Sequence, residues 1–271
     1  MSTQSTPRAD EARGGPVLEL RGVSKRFGAV QALYEVDFSV RAGEVMALVG
    51  DNGAGKSTLI KCIAGIHPID SGEILFEGRH VDISGPKDAA RLGIEVVYQD
   101  LALADNLDVV QNMYLGREER ASFGRLDETK MEKKASETLA SLSVTTIRAV
   151  RQTVAGLSGG QRQSVAVAKA VMWNSRVVIL DEPTAALGVA QTRQVLDLVR
   201  RLGEQGLAVV LISHNLHDIF EVADAVTVLR LGQSVAVHRV GDVTQTQVVE
   251  SITAGKLSKV PGQADAEVVT A

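Results

Sequence analysis

The chain of 271 residues contains one cysteine, few aromatic residues and no large excess of either charge. Because Cys62 has no second cysteine to pair with, no intrachain disulfide is possible, which is typical of a reducing compartment. The formal net charge of −4 offers no basic field, so we expect no nucleic-acid partner. No stretch approaches the roughly 20 apolar residues of a membrane span, and residues 1–15 lack the apolar core of a signal peptide. These absences predict a soluble subunit.

The most specific feature that is present is a glycine-rich segment, residues 50–57, which matches the P-loop pattern G-x-x-x-x-G-K-[ST]. The apolar residues 45–49 before it predict a buried strand, and residues 58–64 after it predict a helix that Gly65 ends. Glycines let backbone N–H groups turn toward phosphate oxygens at the positive end of such a helix. A glycine-rich turn that carries Lys-Ser by chance is disfavoured by this strand–loop–helix context.

The P-loop predicts a site for a nucleoside triphosphate. Lys56 is expected to reach the β- and γ-phosphates, and the Ser57 hydroxyl is expected to ligate Mg²⁺. The predicted nucleotide-binding residues of this segment are Gly50, Asp51, Asn52, Gly53, Ala54, Gly55, Lys56, Ser57 and Thr58.

A second phosphate-binding device is indicated about 100 residues later, in the segment Leu157-Ser158-Gly159-Gly160-Gln161. It precedes a helical pattern, and Ser158 is a good N-cap for that helix. The two glycines leave backbone N–H groups uncovered at the helix N-terminus, which favours an anion. Alone, the segment is better explained as an ordinary capped helix; beside a P-loop, the anion site is the better interpretation.

The two motifs in this order resemble the ATP-binding cassette (ABC) family, and the resemblance covers about residues 17–240. In that family two cassettes pack head to tail, and the P-loop of one and the Leu-Ser-Gly-Gly-Gln of the other hold the same ATP. The resemblance therefore implies ATP and Mg²⁺ as cofactors and a second cassette subunit as partner. It also implies that four residues bind ATP held by that partner: Ser158, Gly159, Gly160 and Gln161.

The catalytic carboxylates are predicted as the last two residues of an apolar strand, residues 176–182. The strand shows no alternation, so it should be buried in a parallel sheet whose carboxyl edge binds ligands. Asp181 looks like the family's Walker-B carboxylate, which holds the Mg²⁺ shell. Glu182 comes next, is expected to point elsewhere, and can accept a proton from an attacking water. Taken alone, Glu182 would be a solvated residue before Pro183; the context favours a catalytic base.

Three further site residues follow from the resemblance. Gln99, after a strand at 94–98, corresponds to the glutamine that ligates Mg²⁺ or water and senses the γ-phosphate. His214, after the apolar strand 207–212, corresponds to the histidine that contacts the γ-phosphate, although a lone histidine there is more often a loop residue. Phe27 corresponds to the aromatic residue that stacks on adenine, although a phenylalanine near an N-terminal strand is more often a core residue.

One position departs from the family pattern. After Pro183-Thr184 the family usually has Ser-Ala-Leu-Asp, whereas this chain has Ala185-Ala186-Leu187-Gly188. The aspartate that helps two cassettes to communicate is therefore absent. Because Glu182, Lys56 and the predicted Mg²⁺ ligands are all present, a working ATPase is still expected.

The predicted fold class is α/β: a P-loop NTPase core with a mostly parallel sheet, an N-terminal antiparallel β subdomain and an inserted helical subdomain. Alternating patterns at 18–23, 36–40 and 73–76 predict the antiparallel strands. Residues from about 102 to 156 interrupt the βα rhythm and predict the helical insert. The expected organisation is a disordered tail (1–15), a single ATPase domain (16–254) and a loose tail (255–271). In the insert, Asp127 is the expected cap of a helix with one apolar face: Met131, Ala135, Leu139 and Leu142.

The chain has one P-loop and no internal repeat, so a cassette pair needs a second chain, and a homodimer is the simpler prediction. Residues 98–118 and 183–188 are similar to bacterial importers of ribose, xylose, fructose and related sugars. That resemblance implies integral membrane permease subunits, an indirect external sugar-binding protein, and a peripheral location on the cytoplasmic face of the cell membrane. The insert would carry the docking surface for the membrane subunit.

Three other functions fit the sequence less well than import. A soluble cassette protein that acts on ribosomes or nucleic acid is disfavoured, because such proteins usually carry two cassettes, long inserts or basic extensions. A regulatory module without hydrolysis is supported only by Gly188 and is opposed by Asp181, Glu182 and His214. Export instead of import is less favoured, because the cassette is single and its segments resemble sugar importers.

Overall fold

The computed structural model describes residues 14–121 and 124–255. The predicted tails, 1–15 and 255–271, lie outside these residues except for positions 14, 15 and 255. The strands are β1 (Pro16–Phe27), β2 (Val30–Arg41), β3 (Val45–Val49), β4 (Ser71–Phe76), β5 (Arg79–His80), β6 (Ile94–Val97), β7 (Val177–Asp181), β8 (Ala208–Ile212), β9 (Ala225–Arg230) and β10 (Gln233–Arg239). The helices are α1 (Lys56–Ile63), α2 (Pro86–Arg91), α3 (Val109–Tyr114), α4 (Glu128–Ser141), α5 (Gly159–Val171), α6 (Val189–Glu204), α7 (Leu216–Val222) and α8 (Gln245–Ala254).

A six-stranded sheet forms the centre of the molecule, with the order β10-β9-β3-β8-β7-β6. Strands β9, β3, β8, β7 and β6 pair in parallel, and β10 adds an antiparallel edge strand. Every residue of β3 and β8 is buried, as expected for apolar strands that are covered on both faces. The predicted parallel core is therefore confirmed, and β9 and β10 form a hairpin around Gly232.

The N-terminal part forms a separate antiparallel sheet, with the order β2-β1-β4-β5. Strands β1, β2 and β4 include the three segments predicted from alternating residues. Strands β1 and β2 are longer than predicted, with 12 residues each. One hydrophobic cluster joins this sheet to one face of the parallel sheet, through Leu18, Phe38, Leu48 and Ile179, and includes Leu59 of α1. This packing holds α1, the helix that follows the P-loop, between the two sheets.

The other face of the parallel sheet packs against the helical insert and α5 and α6. The apolar face predicted for α4 is buried, and Asp127 caps this helix by accepting a hydrogen bond from the Lys130 N–H at 3.1 Å. The insert is less helical than predicted, because its described part holds only α3 and α4 as α-helices. Between them, Gly116 and Gly124 have positive φ values that a continuing helix does not allow.

No helix in the described ranges is both long and apolar enough to cross a membrane. The parallel strands β3, β6, β7 and β8 all end at the same edge of the sheet; Asp181 is the last residue of β7, and the P-loop, Gln99, Glu182 and His214 follow the strand ends, whereas Phe27 and residues 158–161 do not. Ligands bind at this edge in open α/β sheets. The fold therefore collects residues that are far apart in the sequence at one place.

Candidate functional site

The P-loop needs glycine at two positions for reasons of space as well as backbone conformation. Gly50 has a φ of 151°, and a Cβ built there would lie 2.1 Å from the carbonyl oxygen of Leu229. Gly55 has a φ of 104°, and its Cβ would lie 2.8 Å from the carbonyl oxygen of Ala32. The loop is therefore pressed against the backbone of β2 and β9. This contact holds the first turn of α1, whose leading N–H groups have no partner within the helix, at the sheet edge.

Lys56, the first residue of α1, folds back over the loop. Its Nζ donates hydrogen bonds to the carbonyl oxygens of Gly50 at 2.6 Å and Asp51 at 3.1 Å. Burial lowers the pKa of Lys56, whereas the carboxylates of Glu182, Asp51 and Asp181 raise it. The ammonium group thus lies on the loop, near enough to Asp181 at the end of β7 and to Glu182 directly after it for both charges to act on it. A triphosphate bound here would require such a cation.

A cavity of about 410 Å³ opens beside the P-loop. It brings together most of the residues that the sequence predicts at the site, from three strand ends and one helix. It is lined by Val30, Gln31, Ala32, Asn52, Gly53, Ala54, Gly55, Lys56, Ser57, Thr58, Gln99, Asp181, Glu182 and Ile212. Gln31 and its neighbours were not predicted from the sequence, because nothing in the local pattern of β2 marks a strand residue that faces a cavity.

The oxygen donors in this cavity fit Mg²⁺. Ser57, Gln99 and Asp181 provide a hydroxyl, an amide and one carboxylate, and Mg²⁺ is usually held by one or two carboxylates together with water and substrate phosphates. Burial raises the pKa of Asp181, and Glu182 raises it further, while Lys56 and Lys61 lower it. A divalent cation would offset the cost of these two adjacent negative charges. Within the described ranges, no cluster of three or more His, Cys, Asp or Glu side chains suits a metal that needs more such ligands.

Asp181 and Glu182 both line this cavity, and the expectation that their side chains point in different directions stays a prediction. Glu182 itself has a left-handed backbone conformation with a φ of 51°, which breaks the alternation of the strand. Its N–H donates to the carbonyl oxygen of Ile212 at 2.9 Å, which ties the turn to the end of β8. A strained backbone of this kind persists only where surrounding contacts hold it, and such residues cluster at functional sites.

The carboxylate of Glu182 meets His214 across the two strand ends. Glu182 Oε2 lies 2.8 Å from His214 Nδ1, although Oε2 is buried and accepts no hydrogen bond of good geometry from a described residue. The histidine side chain itself is 79% exposed. A buried carboxylate oxygen with free acceptor capacity can take a hydrogen bond from a water molecule, and the exposed ring can reach a ligand beside it.

The segment 158–161 begins α5 with a reciprocal capping box. The Ser158 Oγ accepts from the Gln161 N–H, and the Gln161 Oε1 accepts from the Ser158 N–H at 2.9 Å. Gln161 also donates through Nε2 to the carbonyl oxygen of Thr146 at 2.7 Å. Ser158 and Gly159 are exposed at the helix N-terminus, where an anion is favoured. Of the described residues that line the P-loop cavity, none comes from this segment.

The glycines of this segment have a second role that sequence reasoning missed. A Cβ at Gly159 would lie 2.9 Å from Leu187 Cδ2, and a Cβ at Gly160 would lie 3.1 Å from Gln191 Cβ. The start of α5 therefore packs closely against the loop that follows Glu182 and against the first turn of α6. No local pattern signals this contact, because it joins segments about 30 residues apart.

Phe27 ends β1 with 43% of its surface exposed. Its ring makes an edge contact with His67 at a centroid distance of 5.0 Å, and Lys25 Nζ lies 5.5 Å from the ring centre. Phe27 is not among the residues that line the P-loop cavity, although Val30, three positions later, is. An exposed aromatic face beside the cavity suits stacking on a base.

A family model described as ABC transporter matches residues 33–185. The chain belongs to the ABC transporter family. It is 47% identical over 247 residues to the fructose import ATP-binding protein FrcA of Rhizobium meliloti, covering 89% of this chain and 95% of that protein. It is 45% identical over 244 residues to the xylose/arabinose import ATP-binding protein XylG of Sulfolobus acidocaldarius, covering 90% and 96%.

Other relatives are longer than this ABC family member. The ribose import ATP-binding protein RbsA 1 of Rubrobacter xylanophilus is 48% identical over 220 residues, which are 81% of this chain but 44% of that protein. Among solved structures, the ADP conformation of MJ1267, an ATP-binding cassette of an ABC transporter, matches with a TM-score of 0.75 at 26% identity. That match covers 88% of this chain and 95% of the other, so the predicted fold class is confirmed.

Gly188, where the ABC family usually has aspartate, is the N-cap of α6 and has an ordinary extended conformation, with φ −74° and ψ 161°. A Cβ at this position meets nothing within 4 Å. Because aspartate is a good N-cap, Gly188→Asp is expected to raise the free energy of unfolding by about 0.5 kcal/mol. Urea denaturation measures this change.

The matched control is Gly206→Asp, which places the same side chain in equally open space but at a φ of 88°. That variant is expected to lose about 1 kcal/mol, because an aspartate is strained at this positive φ and its charge would lie at the negative end of α6, just past the C-cap Gln205. A loss of stability in Gly188→Asp would contradict the geometry of the α6 N-terminus described above.

Proposed function

We propose that this chain is the ATP-hydrolysing subunit of a multi-chain ABC importer for a monosaccharide. The observation that carries the proposal is the meeting of Lys56, Asp181 and Glu182 in one cavity beside a P-loop, with Glu182 Oε2 buried and 2.8 Å from His214 Nδ1. A phosphate-binding loop, a cation and a candidate base are the groups that phosphoanhydride hydrolysis requires. The ATPase domain is proposed to span residues 16–254.

Each group has a distinct role in the proposed reaction. The N–H groups of the P-loop and Lys56 hold the β- and γ-phosphates, and Phe27 stacks on the adenine. Ser57, Gln99 and Asp181 would hold Mg²⁺, which supplies charge neutralisation at the phosphates. Glu182 Oε2 accepts a hydrogen bond from water and takes its proton as the water oxygen bonds to the γ-phosphorus and the bridging P–O bond breaks, with ADP as the leaving group. His214 contacts the γ-phosphate and keeps the Glu182 carboxylate in place.

The partner is proposed to be a second copy of this chain. One chain contains one P-loop and one Leu-Ser-Gly-Gly-Gln segment, and residues 158–161 do not line the P-loop cavity of their own chain. In a head-to-tail pair, Ser158, Gly159, Gly160 and Gln161 of one copy would close over ATP held by the other. Closure would complete the site and couple chemistry to a change of shape.

The transported substrate is proposed from the relatives. Those with fructose, xylose/arabinose and ribose import in their names match over 81–90% of this chain. We place the subunit on the cytoplasmic face of the cell membrane, where the helical insert at about 102–156 contacts integral permease subunits. An external binding protein would deliver the sugar, which never touches this subunit.

The proposal is tested by affinity purification of the chain from detergent-solubilised native cells, using the Glu182→Gln form with Mg-ATP so that closed pairs accumulate. Recovery of a membrane protein with many spans, in near-equal amount, is the expected result. Recovery of ribosomal or nucleic-acid-bound material without a membrane protein would reject the transport function and favour a soluble cassette ATPase.

A further inference from the structure

A buried carboxylate lies behind the pair formed by Glu182 and His214. Asp218, in the first turn of α7, is 4% exposed. Its Oδ2 accepts a hydrogen bond from the Thr184 hydroxyl at 2.8 Å, and its Oδ1 accepts one from the Asn215 amide at 2.9 Å. Both oxygens of this buried group therefore accept a hydrogen bond, as buried polar atoms require.

The two donors belong to the two loops that carry the site. Thr184 stands two residues after Glu182 in the loop that follows β7, and Asn215 directly follows His214 in the loop that follows β8. Asn215 also donates its N–H to Ser213 Oγ at 3.0 Å, and its Oδ1 accepts the N–H of His217. The segment around His214 is thereby held on both sides, and Asp218 links it to the loop of Glu182.

This link matters because the position of Glu182 is conformationally costly. Its φ of 51° lies in the left-handed region, and such a conformation is kept only by surrounding contacts. The loop that follows β7 is held at two points. At its start, the Glu182 N–H donates to the carbonyl oxygen of Ile212, and two residues later the Thr184 hydroxyl donates to Asp218. Without Asp218, the Thr184 hydroxyl and the Asn215 amide would lose their shared acceptor, and each loop could shift separately.

We propose that Asp218 is a positioning residue that holds Glu182 and His214 in register through Thr184 and Asn215. The inference rests on the proposed ATPase function of this site. Of the described residues that line the nucleotide cavity, none belongs to this network of Thr184, Asn215 and Asp218. Loss of the network should therefore lower the rate of hydrolysis without lowering the affinity for ATP.

The test compares the dissociation constant for Mg-ATP and the kcat of hydrolysis in the full-length protein. Asp218→Ala and Thr184→Val are each expected to lower kcat about 10- to 100-fold, as small displacements of catalytic groups do. The dissociation constant is expected to stay within about twofold, because the cavity contacts are unchanged. Asp218→Asn should recover much of the rate, since its amide can donate to Thr184 Oγ1 while its oxygen accepts from Asn215.

The double variant Asp218→Ala/Thr184→Val provides a readout that general destabilisation would not give. Because Asp218 acts through Thr184, the double variant is expected to be no slower than the slower single variant, whereas independent effects would multiply. The matched control is Asp88→Ala. Asp88 lies in the first turn of α2 and, like Asp218, accepts two hydrogen bonds. That variant should keep the parental kcat.

The outcomes separate this inference from the proposed function. Absence of Mg-ATP turnover in the parent, or a Glu182→Gln variant as fast as the parent, would defeat the proposed function. Parental kcat in both Asp218→Ala and Thr184→Val, with Glu182→Gln inactive, would overturn the positioning role alone. Should Asp218→Ala fail to fold, the nearly isosteric Thr184→Val decides: a normal rate rejects the proposal, and a lowered rate with unchanged affinity supports it.

Discussion

Replacement of Glu182 by glutamine is expected to lower the turnover of Mg-ATP by about 10²–10⁴-fold, the range that a general base contributes. Glutamine has nearly the same shape, so the left-handed turn at this residue and its N–H bond to Ile212 should persist. The amide, however, cannot take the proton of the attacking water. Binding of ATP should remain, because the P-loop and Lys56 are untouched.

Three measurements check this expectation: steady-state phosphate release, the dissociation constant for Mg-ATP, and the molar mass in solution with ATP present. The inactive variant should form ATP-dependent pairs that persist, since hydrolysis no longer reopens them. Glu204→Gln is a suitable control, because Glu204 is an exposed carboxylate at the end of α6. Turnover at the parental rate in Glu182→Gln would remove Glu182 from the role of base.

The second large effect is expected from Gly50→Ala. A methyl group at this position would lie 2.1 Å from the Leu229 carbonyl oxygen, a rigid backbone atom at the end of β9, and 3.0 Å from Ala54 Cβ. The loop must therefore move away from β9. We expect a loss of about 3 kcal/mol or more in the free energy of unfolding, from overpacking together with backbone strain. For a chain of this size that corresponds to a fall of about 6–12 °C in Tm.

Displacement of the loop should also abolish measurable ATP binding, because the N–H groups and Lys56 would no longer converge on the same phosphates. Gly53→Ala separates the two causes: Gly53 also has a positive φ, 82°, but a Cβ there meets nothing within 4 Å. That variant should lose only about 1–2 kcal/mol from backbone strain. Thermal denaturation and titration with Mg-ATP measure both effects. Equal losses in the two variants would show that the contact with Leu229 is unimportant.

The local sequence was enough to predict the elements that carry the site. Continuous apolar residues at 45–49 and 208–212 mark strands buried on both faces, and both are fully buried in the sheet. The P-loop is a continuous motif, so its glycines and its position before α1 follow from neighbouring residues alone. Capping is equally local: Asp127 and Ser158 lie three positions before the N–H groups that they accept from.

Only the tertiary structure decided how these elements meet. Glu182 and His214 are 32 positions apart, and their contact depends on the adjacent ends of β7 and β8 and on a left-handed turn that strand alternation does not predict. The packing of Gly160 against Gln191, the place of Gln31 in the cavity and the link from Asp218 to Thr184 likewise join distant segments. The physical reason is that periodicity and turn chemistry specify each element over a few residues. Which side chains share one sheet edge depends instead on strand order and on the packing of helices across the sheet.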